Sequence, residues 1–230
     1  MEGRVKTKKT GKGSLPKVGN IKIGQMIEKN GKTFPSSTDY FIPKSKKENY
    51  NQMFRDVYGD KPDSIRIIFF SEDLKESCWE EFQYRDSQGK NFAYGDGENY
   101  FVYSQKEKQY KEFSLSKRKD LIKEIEERSP KGKWSHILKL KFFIVGLNIF
   151  GHWEFDTRAE LTSIPQIRET FDFVKSERGK IMGVEFDLNV VMAKSDKPGD
   201  MRKFPVVVLV PIMPEQDNLL LETPIKQIEG

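Results

Sequence analysis

Residues 134–192 read WSHILKLKFFIVGLNIFGHWEFDTRAELTSIPQIRETFDFVKSERGKIMGVEFDLNVVM. Two apolar runs open the stretch, Ile137–Val145 and Ile149–Phe155, punctuated by Gly146 and Gly151. Their length and their aromatic and β-branched content predict two strands. Asp156-Thr157 follows, then a helical stretch from Ser163 to about Val174, then a β-patterned run from Ile181 to Val191. Strand, strand, helix, strand is the order of an α+β unit able to bury a core of its own. Within the second strand, His152, Glu154 and Asp156 share one face and Trp153 and Phe155 the other. The aromatic pair is therefore expected in the core, with the polar trio facing outward.

Downstream, a polar loop at Ser195–Arg202 with Pro198-Gly199 leads to FPVVVLV, Phe204–Val210, which should pair with Ile181–Val191 as a hairpin. Residues 214–230 read as a loosely attached tail in which Leu219-Leu220-Leu221 offers a docking point. Upstream, residues 104–133 are highly charged. Ser116 is placed to cap a helix ending near Arg128, but Leu121, Ile122 and Ile125 give it only a narrow apolar face, so a shallowly held connector is expected. Short strands are expected at Glu81–Tyr84, Phe92–Tyr94 and Tyr100–Tyr103, with a turn at Ser87–Lys90, and Ser64–Phe70 reads as a buried strand. Tyr50, Met53, Phe54, Val57 and Tyr58 fall on one helical face. Ser45 and Glu48 have capping-box spacing before that helix, and Gly59 and Pro62 stop it. Asn30-Gly31 marks a hairpin behind a strand starting near Ile21. The fold class that follows is α+β: a mainly antiparallel or mixed sheet with a few packed helices. Its two β-rich halves, 20–103 and 134–213, are joined by the charged insert 104–133 and flanked by a basic disordered tail, 1–19, and the tail 214–230.

Of the 230 residues, 36% are apolar and 33% charged, yet there are 17 Phe, 8 Tyr and 3 Trp. So many aromatics argue for a folded chain with a heavily charged surface rather than a disordered one. Cys78 is the only cysteine, which excludes an internal disulfide and a thiolate zinc site. With only His136 and His152, a histidine-rich metal site is not expected either. No run approaches the ~20 apolar residues of a membrane span. The basic N-terminus lacks the apolar core of a secretory signal, so the expectation is a cytoplasmic protein without a membrane partner.

The charge is unevenly placed. Residues 1–22 hold seven cations against Glu2 alone, a surplus of six, whereas the whole chain is +5; the remainder is close to neutral. Arg4, Lys6, Lys8, Lys9, Lys12 and Lys17 are therefore the candidate nucleic-acid contacts, since each cation placed at a phosphate releases a counterion. The alternative is a solubilising terminus. Aromatic and basic residues also interleave at Tyr40–Lys47 and Tyr103–Lys111, a mixture that suits base stacking beside phosphates and equally suits a charged surface over a sheet. Gly95-Asp96-Gly97-Glu98 is not followed by Lys-Ser/Thr and reads as a β-turn rather than a phosphate loop. His152, Glu154 and Asp156 read as amphipathic patterning rather than acid–base machinery, and Cys78 as a packed thiol. No hydrolase, zinc-protease or dinucleotide motif is present. The sequence assigns no catalytic residue, no metal ligand and no cofactor.

The segment LKLKFFIVGLNIFGHWEFDTRAELTSIPQI, Leu138–Ile167, resembles a phage and mobile-element family, the recombination directionality factors of the large serine integrases, whose members are also labelled hydrolase or metal-binding protein. The matching features are an apolar strand at Leu140–Val145, Gly151-His152-Trp153 leading to Asp156-Thr157, and Ser163-Ile164 opening a helix. Pro35, Asp39-Tyr40-Phe41, Tyr58-Gly59, the Gly95–Glu98 loop and PVVVLVP at Pro205–Pro211 follow the family's order, so the likeness spans about residues 20–211. Members often carry cysteines between the Gly-Asp-Gly loop and the central strand; here that region is the charged insert without a cysteine, and a metal role is not carried over. The resemblance implies a non-enzymatic accessory protein of bacteriophage DNA recombination, acting in the cytoplasm of the bacterial host. Its implied partners are a serine integrase and DNA. Two alternatives stay open: a single-stranded nucleic-acid-binding protein of phage replication, and a hydrolase whose site is unrecognised.

Overall fold

The computed structural model describes residues 15–195 and 201–212. The strands are β1 (Lys17–Lys29), β2 (Lys32–Ser45), β3 (Ser64–Ile68), β4 (Cys78–Arg85), β5 (Asn91–Gly95), β6 (Asn99–Ser104), β7 (Gln109–Ser114), β8 (Lys133–Ile144), β9 (His152–Thr157), β10 (Glu185–Lys194) and β11 (Lys203–Pro211). The helices are α1 (Glu48–Tyr58), α2 (Leu74–Ser77), α3 (Leu121–Arg128) and α4 (Ser163–Arg178). The strands form one mixed sheet with the path β11-β10-β3-β8-β4-β5-β6-β7, to which β9, β1 and β2 attach through β8. Among the described residues, β1 with β9 is the one parallel pair. The α+β class read from the sequence is the class the chain adopts.

β8 organises the sheet. Leu140 faces Cys78 of β4 across one edge and Phe155 of β9 across the other. At its far end, Ile144 and Phe143 pair with Ile67 and Ile68 of β3, which in turn pairs with β10. Strands from 20–103 and from 134–213 thus alternate in one sheet. The run Ile181–Val191 becomes strand only from Glu185. The carboxylate of Glu72 accepts the N–H groups of Ile181 (3.0 Å) and Met182 (2.7 Å), giving those backbone donors a side-chain partner in place of a ladder. β10 and β11 then pair as the expected hairpin. At the other end of the chain, Asn30 (φ 56°) and Gly31 (φ 68°) make the two-residue turn that joins β1 to β2.

The main core lies between one face of the sheet and the helices α1 and α4. Leu138, Leu140, Phe142 and Ile144 of β8, Trp153 and Phe155 of β9, Phe54 of α1, and Ile164, Ile167, Phe171 and Val174 of α4 are all buried in it. The aromatic pair of β9 therefore lies in the core as expected, each residue 1% exposed. His152 does not face outward, however: it is only 5% exposed, because Phe70 covers its ring at a centroid distance of 5.8 Å. α1 also starts differently from the capping-box reading. Ser45 lies in β2, and no side chain caps the helix. Instead Asn51 folds back, its Oδ1 accepting the Ser45 N–H (2.8 Å) and its Nδ2 donating to the Ser45 carbonyl (3.2 Å), while Glu48 bonds Arg55 and Asn51.

A second core sits under α3. Leu121 and Ile125 are 2% and 1% exposed among Tyr84, Ala93, Tyr100 and Val102. The insert is therefore anchored more deeply than its three apolar positions suggest. Its first part is β7, which pairs with β6 along its whole length, and the β4–β7 meander supplies the apolar floor that α3 lacks by itself. Pro198-Gly199 and Leu219-Leu220-Leu221 lie outside the described residues.

Candidate nucleic-acid interface

Of the six cations singled out in the basic segment, Arg4, Lys6, Lys8, Lys9 and Lys12 lie outside the described residues. Lys17 opens β1, where the parallel register sets it beside His152 of β9. Its ammonium pairs with Glu154, and Lys22 pairs with Asp156 one pleat further on. His152 Nε2 lies 3.3 Å from Glu154 Oε1, while its Nδ1 is buried with no partner among the described residues. Burial alone would raise the Glu154 carboxyl, but the bonds from His152 and Lys17, together with the Lys17 charge, hold it down at about 2. A carboxylate ionised this firmly is a poor proton acceptor. The polar trio thus serves as an ionic seam between β1 and β9, and Lys17 is shared between that seam and solvent.

The seam lies on the sheet face turned away from α3 and α4, since Glu154 stands opposite Lys141 and Asp156 opposite Lys139. Cross-strand register puts Trp79 opposite Lys139, Gln83 opposite Tyr94, Tyr94 opposite Phe101 and Tyr103 opposite Tyr110. Period-two alternation then sends all of these to the same side. Tyr94 and Phe101 stack with centroids 5.1 Å apart, and Tyr110 meets Tyr94 (5.1 Å) and Tyr103 (5.3 Å) edge-on. Lysines ride on the rings: Lys141 is 4.5 Å and Lys139 5.7 Å from the Trp79 centroid, and Lys90 is 5.1 Å from that of Tyr103. Glu81, Glu112, Glu154 and Asp156 interrupt the positive charge; Glu81 is engaged by Lys139, Gln83 and the Trp79 indole N–H. The mixed stretch Tyr103–Lys111 is visible in the sequence, but Tyr94 and Phe101 read there only as strand residues. Their parity with Tyr103 depends on two hairpin registers that no local pattern reveals. The Tyr40–Lys47 stretch makes no comparable platform, since Phe41 is fully buried.

Groups with chemical potential elsewhere are already committed. Burial pushes the Cys78 thiol up to about 12, so it is protonated at neutral pH and is not an activated nucleophile. Glu80 accepts both Arg168 of α4 and His136 Nε2 (2.6 Å). Burial opposes the charge of Glu80, but Arg168 and His136 outweigh it and lower its pKa, so this cluster braces β4 against α4. Asp96 accepts the N–H groups of Glu98 (2.9 Å) and Asn99 (2.7 Å), an Asx turn that closes the β5–β6 hairpin. Among the described residues no three His, Cys, Asp or Glu side chains gather as metal ligands, and no helix is long and apolar enough to cross a membrane.

A family model described as Gp3-like, recombination directionality factor-like, matches residues 18–212. No curated protein and no solved structure gives a significant match. The family match begins one residue into β1, after Lys17, and runs past the end of β11, covering every helix described above. The chain belongs to the Gp3-like, recombination directionality factor-like family.

Proposed function

We propose that the protein is a non-catalytic factor that controls the direction of DNA recombination by binding a serine integrase, DNA or both, in the cytoplasm of a bacterium carrying the phage or mobile element. The family match over residues 18–212 carries this reading. The basic segment, with Arg4, Lys6, Lys8, Lys9, Lys12 and Lys17, supports the DNA half of it, because cations there suit sequence-independent phosphate contacts. The commitment of Cys78, Glu80 and Glu154 to packing and ion pairs supports a role without catalysis. Sequence reading is left to the integrase in this division of labour.

The test is a recombination assay with candidate serine integrases, on integrative and excisive substrate pairs, with and without the purified protein. A reversal of the preferred direction is the expected result. An unchanged ratio of excision to integration, at protein concentrations in excess of integrase, would sink the proposal.

A further inference from the structure

We infer that the cleft between the β5–β7 meander and the end of α3 binds an unpaired nucleic-acid strand, taking bases against its aromatic walls and phosphates at Lys106, Lys111 and Arg128. The cleft has a volume of about 430 Å³, within the ~300–1,000 Å³ of sites that hold a small ligand. Phe92, Val102 and Phe113 line it, with the Arg118 guanidinium 4.9 Å from the Phe113 ring centroid, and Tyr103 borders it where the lining passes to the opposite sheet face. Its three cations come from separate places, Lys106 from the β6–β7 turn, Lys111 from β7 and Arg128 from the last turn of α3, and no carboxylate lines it. Lys111 pairs with Glu107 outside the lining, while Lys106 and Arg128 have no ion-pair partner among the described residues. All three cations are exposed.

The cleft has a continuation. A second hollow of about 290 Å³ shares Phe92, Tyr103 and Gln105 with the first and adds Lys90 and Lys108. Its single acid, Asp86, accepts the N–H groups of Gln88 (2.9 Å) and Lys90 (2.8 Å), so a turn already engages that carboxylate. From the shared Tyr103 the rings of Tyr110, Tyr94 and Phe101 lead on across the open sheet face. The first hollow lies on the α3 side of the sheet, where Lys111 and Phe113 stand opposite Val102 and Tyr100, and the rings of Tyr103, Tyr110, Tyr94 and Phe101 lie on the other side, so the lining turns round the start of β5 and the end of β6, with lysines in both hollows. Cations alone would suit any polyanion, duplex included. Aromatic surface beside them favours a ligand that presents π-faces next to phosphates, which a single strand does and a duplex or an acidic peptide does not.

This inference stands apart from direction control, since it holds or fails on strand binding without integrase. The experiment measures fluorescence anisotropy of a labelled oligothymidylate and of a blunt duplex with the full chain, over a range of salt. Wild-type protein should prefer the single strand. The pair Lys106→Glu/Arg128→Glu should weaken strand binding at least tenfold, by rough expectation, and flatten the salt dependence by about 0.7 log unit per log salt for each of the two phosphates released. Tyr103→Leu should weaken strand binding by about fivefold or more and leave duplex binding unchanged. Strand binding by the charge-reversed pair equal to wild type, or a wild type without preference for the strand, overturns the inference. If Tyr103→Leu lowers the melting temperature, the charge-reversed pair decides, because both of its positions lie at the surface.

Discussion

Gln166 of α4 holds both backbone groups of Leu209 in β11: its Oε1 accepts the Leu209 N–H at 2.8 Å and its Nε2 donates to the Leu209 carbonyl at 2.9 Å. Thr170 Oγ1 donates to the same carbonyl (2.9 Å), and Ser163 Oγ accepts the Val207 N–H (2.9 Å). β11 is the terminal strand of the sheet path, and Ser163, Gln166 and Thr170 lie on one face of the helix. Three side chains therefore do what a neighbouring strand would do, and the edge is closed to pairing with another chain. Gln166→Leu should cost about 1–3 kcal/mol, because the Leu209 N–H is left unpaired. Urea denaturation checks it; a midpoint equal to wild type would show that water substitutes for the amide.

Trp153 sits between Phe54 and the backbone of β1, and at Gly19 an added Cβ would come within 2.7 Å of its Cζ3 and 2.8 Å of the Lys44 carbonyl oxygen. The ring occupies space that only glycine leaves open. Trp153→Ala should destabilise the fold by about 3–5 kcal/mol, as large-to-small core changes do. Thermal melting is the measurement, and an unchanged melting curve would contradict the packing around β9.

Glu154 gives the pH dependence. Its folded carboxyl stands at about 2 against an ordinary 4.5. A group whose folded pKa is depressed adds stability above its unfolded pKa and loses it as pH falls through the folded one. The seam of Lys17, His152 and Glu154 should therefore add its full share above about pH 5 and fade between 4.5 and about 2. Glu154→Gln should be less stable than wild type at neutral pH, with the gap closing in that acid window. A gap that stays constant down to about pH 2 would mean that Glu154 does not carry the titration.

What the sequence reveals and what it hides divide by range. The β1–β2 hairpin is legible because Asn30-Gly31 states its own turn chemistry, and α1 because Tyr50, Phe54 and Tyr58 repeat at helical spacing. Trp153 and Phe155 are legible by alternation alone. His152 is misplaced by the same alternation because Phe70, which covers it, is 82 positions away along the chain. The depth of Leu121 and Ile125 depends on a floor supplied by Tyr84, Ala93, Tyr100 and Val102. The strand-binding cleft needs Phe92, Lys106, Lys111 and Arg128 to meet across two hairpins and a helix, and periodicity carries no such information.

The last prediction concerns how the protein meets duplex DNA. Removing residues 1–14 deletes Arg4, Lys6, Lys8, Lys9 and Lys12 but keeps β1, with Lys17 still paired to Glu154. If those cations lie on phosphates, duplex affinity should fall for every sequence alike. The salt dependence should flatten by about 0.9 log unit per log salt for each phosphate that is no longer neutralised. Lys17→Ala alone should change that slope less than removal of any of the five, because its charge is already shared with a carboxylate 26% exposed beside it. Salt titrations of the full and shortened chains, with and without a cognate integrase, separate the roles. Equal slopes would show that the basic segment only keeps the protein in solution. A flattened slope with integrase binding intact would assign duplex contact to the segment and partner recognition to the folded body.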